Sequence, residues 1–297
     1  MHRGVIVLWA LAALAVLGGF GGAVHPAGDS LAVFRVYTVA GLALISATLL
    51  ILRRPVIAFA GLALVIGAGM TLVLPRDAET PAGRSYAVYQ KNLKWSLRDP
   101  EALIADITAQ ASDFVTLQEV TRRNRAVMAG LAARWPHQHF CDFERIGGTA
   151  VLSHWPVVEG SAFCETRLGL SAMQVATPDG PVWLASLHLH WPWPHRQPGI
   201  VADLLPVLAR LEGPVVLAGD FNMVPWSHTV AMIEQAARAR VVGRPGATFD
   251  LRTPLIRIPI DHVLMPEDAV AISATLRPKL GSDHRGVLAK FGFKPAP

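Results

Sequence analysis

Residues 214–222 read Pro-Val-Val-Leu-Ala-Gly-Asp-Phe-Asn. The run Val215 to Ala218 is apolar without a break, and the chain turns polar at Asp220 and Asn222. A short continuous apolar run closed by turn residues is the pattern of a strand buried on both faces. Such a strand belongs to a sheet covered by helices, and it ends here with two polar side chains at its mouth.

The segments on either side alternate in the same manner. Ser85 to Trp95 begins as an apolar strand. Asp99-Pro100-Glu101 opens a helix over EALIADITAQA, with an acid at the cap and proline in the first turn. DFVTLQEV is a strand ending near Glu119, and a helix is expected over 122–134. HQHFCDF, GGTAVLSHW, LSAMQVAT and VWLASLHLH follow as strands, with a hairpin at Pro178-Asp179-Gly180. A helix is expected over 199–211, and Ser227 caps another. IPIDHVL, AISATL and RGVLAKFGF close the chain as strands. This α/β pattern, rich in antiparallel pairs, calls for two sheets packed face to face under outer helices.

The front of the chain differs. Of 297 residues, 52% are hydrophobic and 16% charged, against about 25% charged in an ordinary soluble domain. Such a composition excludes disorder, and two cysteines exclude a disulfide-dense scaffold. The apolar excess lies in runs at 4–24, 36–52 and 55–74. Each approaches the roughly 20 residues a helix needs to span a bilayer, so three transmembrane helices are expected. The first run also has the form of a cleaved signal peptide. Arg3, Arg53 and Arg54 place the N-terminus and the second link in the cytoplasm. The expected location is therefore a multi-pass membrane protein with the domain that follows the three runs extracytoplasmic, periplasmic or extracellular, whether or not the first run is cleaved.

This organisation divides the chain into a membrane anchor (1–75), a linker (76–84) and a domain (85–297). Of 27 basic and 22 acidic residues, 23 and 21 lie beyond residue 75, leaving that part at +2. Nucleic-acid binding through a broad basic surface has no support in that balance.

Polar residues at or near apolar strand ends carry the chemistry: Asn92, Glu119, His188, Asp220, Asn222, Asp261, Asp283 and His284. Acids and amides gathered at one edge repel unless a hard cation sits among them, and Mg²⁺ suits oxygen ligands that leave waters free for phosphate. Singly, Glu119 is an ordinary solvated strand end and Asp220, Asn222 and Asn92 are good turn residues. Asp261, inside an apolar strand, is harder to dismiss, because a buried unpaired acid is costly. His188 and His190 share parity, which leaves a His-x-His zinc site with His195 as a further reading.

LQEV, SLHLHW, GDFN, IDHVL and SDHRGV occur in the order found in the endonuclease/exonuclease/phosphatase superfamily, and GGTAVLSHWPV resembles its glycine-to-serine strand segment. The resemblance covers about 85–293. It implies a four-layer α/β sandwich of two mixed, largely antiparallel sheets flanked by helices, here preceded by the three transmembrane helices. It also implies a phosphoesterase using Mg²⁺ or Mn²⁺. Residue by residue, Glu119 matches the principal metal ligand, with Asp283 and Asn92 beside it. His284 matches the general base and Asp261 the acid that orients it. Asp220 and Asn222 match the pair holding the nucleophilic water and the phosphate, and His188 a donor to a phosphate oxygen. The implied reaction is in-line attack of water on phosphorus without a covalent intermediate.

The sequence departs from the resemblance where some nuclease members carry a catalytic tyrosine before His188; Arg167 is the polar residue expected there. Trp191 and Trp193 are candidate substrate contacts, stacking on a base or lying at a lipid interface, with packing on the domain as the alternative. The expected partner is a phosphodiester, nucleic acid or phospholipid, with the membrane holding the N-terminal helices and no obligate protein partner. Cys141 and Cys164 are either a disulfide between neighbouring strands or two buried thiols. A catalytically silent binding module of the same fold is the alternative function, and the complete set of acids, amides and histidines argues against it.

Overall fold

The computed structural model describes residues 2–73, 83–144, 146–243 and 246–293. It begins with four helices: α1 (His2–Gly18), α2 (Ala27–Ala32), α3 (Arg35–Ile51) and α4 (Pro55–Met70). β1 (Ser85–Asn92), α5 (Glu101–Gln110), β2 (Phe114–Val120), α6 (Ala126–Leu131), β3 (His137–Cys141) and β4 (Gly148–Ser153) follow. Then come β5 (Phe163–Glu165), β6 (Leu170–Thr177), β7 (Gly180–His188), α7 (Gln197–Ala209), β8 (Val215–Asp220) and α8 (His228–Ala237). The chain closes through β9 (Ala239–Val241), β10 (Phe249–Asp250), β11 (Arg257–Ile258), β12 (Asp261–Pro266), β13 (Ala269–Leu276) and β14 (Val287–Phe293).

Two six-stranded mixed sheets result, ordered β13-β14-β1-β2-β4-β3 and β5-β6-β7-β8-β12-β9. Side-chain alternation dictates the layers. On β1, Tyr86 and Val88 face the second sheet and meet Val182, Leu184, Val216 and Val263. Ala87 and Tyr89 face outward onto Leu103 and Ile107 of α5 and Val127 of α6. On β8, Val216 and Ala218 point inward, while Val215 and Leu217 pack under Leu204 and Leu208 of α7 and Val230 and Ile233 of α8. Each fully buried Val, Leu or Ile among them contributes about 1.5–3 kcal/mol over its exposed state. The α/β sandwich is therefore as expected.

Two parallel pairs position the site. β1 pairs parallel with β2, and β7 with β8. Parallel neighbours need a crossover, here through α5 and α7. The carboxyl ends of these four strands bring Asn92, Glu119, His188 and Asp220 to one edge, where Asn92 bonds to both Glu119 and Asp220. Antiparallel β12 adds Asp261 directly opposite Asp220.

The membrane anchor is corrected by the helices themselves. Helices form within the three apolar runs, but α1 and α3 have 17 residues and α4 has 16. At 1.5 Å per residue these span about 25 Å, short of a hydrocarbon core of about 30 Å. No helix of the described residues is long and apolar enough to cross a membrane. The three transmembrane helices, the membrane as partner, the multi-pass location and the extracytoplasmic placement drawn from them all fall with that finding. The first run is cut short by its glycines, since α1 ends at Gly18 and Gly21–Ala23 is a 3₁₀ turn.

The N-terminal helices meet through Ala13, Val16, Val39, Leu42 and Ala68, with other apolar side chains, Leu14 and Leu44 among them, left exposed. They also dock on the sandwich. Asp29 of α2 is buried and accepts bonds from the backbone N–H groups of His228 and Thr229, both at 2.8 Å. Trp226 Nε1 donates to the Ala32 carbonyl at 2.8 Å, and Tyr37 Oη to that of Arg257 at 2.9 Å. Most of the expected linker, 76–82, lies outside the described residues.

The helix expected over 122–134 forms only at Ala126–Leu131. Asn124 Oδ1 accepts the Thr121 N–H at 2.7 Å, a local bond that competes with a helical turn.

Candidate active site

Gln90 and Gln118 sit at inward positions of β1 and β2, where their neighbours Val88 and Phe114 are apolar. Both glutamines are buried, so each requires partners. Gln118 Nε2 donates to Ser186 Oγ at 2.9 Å. Gln90 Nε2 donates to Gln118 Oε1 at 2.8 Å and to Asp261 Oδ1 at 2.9 Å. The other Asp261 oxygen accepts from His284 Nδ1 at 2.9 Å. A polar chain thus crosses the interior from Ser186 to His284.

Charge in this chain follows from burial. Burial alone would raise Asp261, but the charge and hydrogen bond of His284 outweigh it and hold the carboxyl below its usual range. Burial likewise works against the His284 cation. Asp261 and Asp220 overcome that and push the imidazole up to about 9. Donation from Nδ1 leaves Nε2 of His284 toward Asp220, 3.7 Å from Oδ2. Phe249 covers the imidazole, with ring centroids 4.7 Å apart.

Asp220 is buried at the end of β8, and desolvation pushes it up to about 7. Its Oδ1 accepts the Asn222 N–H at 2.9 Å, and its Oδ2 lies 3.7 Å from His188 Nε2. Asn222 has φ +47°, a left-handed conformation asparagine tolerates, and its Nδ2 donates to the Leu189 carbonyl at 2.7 Å. His188 is buried, and desolvation lowers it to about 3, so it is neutral at ordinary pH. Its Nδ1 has no hydrogen-bond partner among the described residues.

Glu119 is the penultimate residue of β2, inside the register shift of the ladder with β4, at φ +56°. That kink turns its carboxylate out of the strand. Desolvation raises it, tempered by bonds from Trp95 N at 2.7 Å and Asn92 Nδ2 at 3.1 Å. Asn92 Nδ2 also donates to Asp220 Oδ2 at 3.0 Å, while its Oδ1 accepts from Lys94 N at 2.9 Å. Asn92 therefore links two carboxylates through its nitrogen.

Glu119, His188, Asp220, Asn222, Asp283, His284 and Trp191 line one cavity of about 290 Å³. Arg167 and Trp193 do not. They line a neighbouring cavity of about 850 Å³ with His195 and Arg196. Trp193 meets His25 edge-on, and its carbonyl accepts from Ser30 Oγ at 2.6 Å. Trp191 packs against Phe249 at the cavity of Glu119 and His284. His188, His190 and His195 form no metal-ligand cluster among the described residues; His190 pairs with Glu144 instead. The disulfide of the two sequence alternatives is the one formed, between Cys141 and Cys164.

Sequence reasoning missed the two glutamines and Lys91. The glutamines had a signal, since polar residues at inward positions of apolar strands need a buried partner. Lys91 is fully buried on the outer face of β1, and its Nζ donates to the carbonyls of Pro278, Lys279 and His284 at 3.2, 2.8 and 2.7 Å.

The donor set fits a hard divalent cation. Two carboxylates, Glu119 and Asp220, are raised by loss of solvent, and Asp261 and Asp283 add negative charge beside them. Carboxylate oxygens gathered at one cavity and raised by burial are the kind of donor that Mg²⁺ or Mn²⁺ binds.

A sequence model described as Endonuclease/Exonuclease/phosphatase family matches residues 90–284. Solved structures share the fold. An endonuclease/exonuclease/phosphatase from Beutenbergia cavernae DSM 12333 superposes with TM-score 0.60 and 22% identity, over 72% of this chain and 73% of that one. A family protein from Leptotrichia buccalis C-1013-b gives 0.58 and 13%, over 70% and 100%. D. rerio TDP2 complexed with single strand DNA product gives 0.54 and 18%, over 71% and 100%. No curated protein matches the chain.

Proposed function

The chain belongs to the endonuclease/exonuclease/phosphatase family, whose members are hydrolases of phosphate esters, and on that premise we propose a divalent-metal-dependent phosphodiesterase. The proposed catalytic unit runs from residue 85 onward. The observation that carries the reading is the buried His284–Asp261 pair, with Nε2 of His284 turned to Asp220 in a cavity edged by Glu119.

Glu119, with Asp283 and a turned Asn92, would hold the cation, Mg²⁺ or Mn²⁺. When bound it would supply positive charge to the phosphoryl oxygens and lower the pKa of His284. Asp261 holds the imidazole so that Nε2 takes the proton of the attacking water. Asp220, beside that nitrogen, orients the water. Neutral His188 donates to a phosphoryl oxygen as charge develops. The attack is in line on phosphorus and forms no covalent intermediate.

A DNA product in one structural neighbour makes nucleic acid a substrate to test beside phospholipid. The full chain should hydrolyse bis-nitrophenyl phosphate with Mg²⁺, lose turnover in EDTA and regain it with Mg²⁺ or Mn²⁺. Turnover that survives thorough chelation would contradict the metal-dependent reading.

A further inference from the structure

β3 and β5 are edge strands, one of each sheet, and the Cys141–Cys164 bond ties them together. His139 lies two residues before Cys141 on β3, so both side chains share a face. Its Nε2 stands 3.3 Å from Cys141 Sγ and 3.5 Å from Cys164 Sγ, flanking the sulfur–sulfur bond nearly symmetrically, and 3.0 Å from the Phe163 carbonyl, a contact that a metal on that nitrogen would replace. The three ligand atoms lie within 4.8 Å of one another. Cys141 is buried and Cys164 exposed, so one sulfur is open to a reagent in solution.

We infer that His139, Cys141 and Cys164 form a redox-gated zinc site, closed as the disulfide and able to hold one Zn²⁺ between the two sheets once reduced. Two thiolates, one imidazole and a water make a tetrahedral donor set of the soft type zinc prefers. With zinc–sulfur bonds of about 2.3 Å and zinc–nitrogen of about 2.1 Å, sulfur and nitrogen ligands stand about 3.6 Å apart. Nε2, at 3.3 and 3.5 Å from the two sulfurs, needs to move outward only slightly to reach that separation. The two sulfurs must part, to about 3.8 Å across the same ion. The site shares no residue with the oxygen-donor cavity of Glu119.

The chemistry balances with a dithiol as reductant. One of its thiolates attacks Cys164 Sγ, the sulfur–sulfur bond breaks, and Cys141 leaves as a thiolate beside the His139 ring. The second thiol of the reductant displaces Cys164 and closes its own disulfide. Two electrons pass to the protein, and the ion then binds both thiolates while their protons go to solvent.

The full chain, oxidised or reduced with a phosphine and freed of reductant, is titrated with Co²⁺ as the optical probe and then with Zn²⁺. The oxygen donors of the catalytic cavity give no thiolate-to-cobalt charge-transfer band, so sulfur ligation reads separately. One equivalent should raise that band in the reduced chain and none in the oxidised chain, and Zn²⁺ should erase it. His139→Ala should weaken binding at least tenfold, and Cys164→Ser should abolish the band. A reduced, folded chain without the band, or His139→Ala binding as tightly as the parent, would overturn the site. Loss of the fold on reduction, seen by circular dichroism, would overturn it equally, because the ligands come from two strands that must stay in place.

Discussion

Nδ1 of His284 donates to Oδ2 of Asp261 at 2.9 Å, in a pair nearly closed to water. The carboxylate is itself fixed on its other oxygen by Gln90. The imidazole therefore has one tautomeric arrangement, with Nε2 left for the cavity. Asp261→Asn keeps the shape but removes the charge that raises the imidazole. Its turnover should fall about a hundredfold or more, the range general-base catalysis supplies. The pH profile should also shift, because the histidine of the variant titrates lower. Unchanged turnover with an unchanged profile would separate Asp261 from the base.

The same charges set how the metal-free fold responds to pH. His284, raised to about 9 from 6.5, contributes stability that is full below 6.5 and lost as pH rises through 9. Asp220, raised to about 7 from 3.8, also favours the protonated form in the fold, so stability falls between 3.8 and 7. His188, lowered to about 3, gives the opposite slope but only below 6.5, and Lys91, lowered to about 8 by burial, only above 8. The clear window is pH 6.5 to 8. In EDTA the Tm should drop across it, and His284→Gln should flatten the drop. A Tm that rises there in the parent would contradict the assigned charges.

Lys91 holds the loop that carries Asp283 and His284 by three backbone carbonyls. Lys91→Met fills similar volume and leaves those carbonyls unpaired. Urea unfolding should show a loss of about 3 kcal/mol or more, at about 1–3 kcal/mol per buried unsatisfied group. A midpoint within error of the parent would show the ammonium to be dispensable.

Asp29 caps a helix almost two hundred residues away, taking two N–H groups at the start of α8 and the Thr229 hydroxyl. A negative charge at a helix N-terminus is favourable, and removing a cap costs about 0.5–2 kcal/mol. Asp29→Ala should lower the unfolding midpoint accordingly. No change would mean that the N-terminal helices contribute nothing to the sandwich through this contact.

Much of the candidate site was legible because its residues interrupt apolar strands. Asp220 after Val-Val-Leu-Ala-Gly, and Asp261 inside Ile-Pro-Ile-Asp-His-Val-Leu, have no inexpensive place in a core except a shared one. Lys91 was not legible, since a lysine next to polar residues at a strand end suggests solvent, and only the carbonyls of a distant loop make its burial tolerable. Asp29 was hidden for the same reason: its partners are remote in sequence. The apolar runs at the front were misjudged by counting apolar residues without weighing the glycines that end α1 at Gly18. Arg167 was placed by its position in the chain, and chain order does not reveal that β5 and β6 carry it to the neighbouring cavity.

The most direct measurement is hydrolysis of a bis-nitrophenyl phosphate by the full chain in Mg²⁺, beside His284→Ala with its fold verified by circular dichroism. The account predicts that the parent turns over and that the variant, folded, loses at least a hundredfold in kcat. A folded His284→Ala chain that hydrolyses the diester at the parent rate would contradict it.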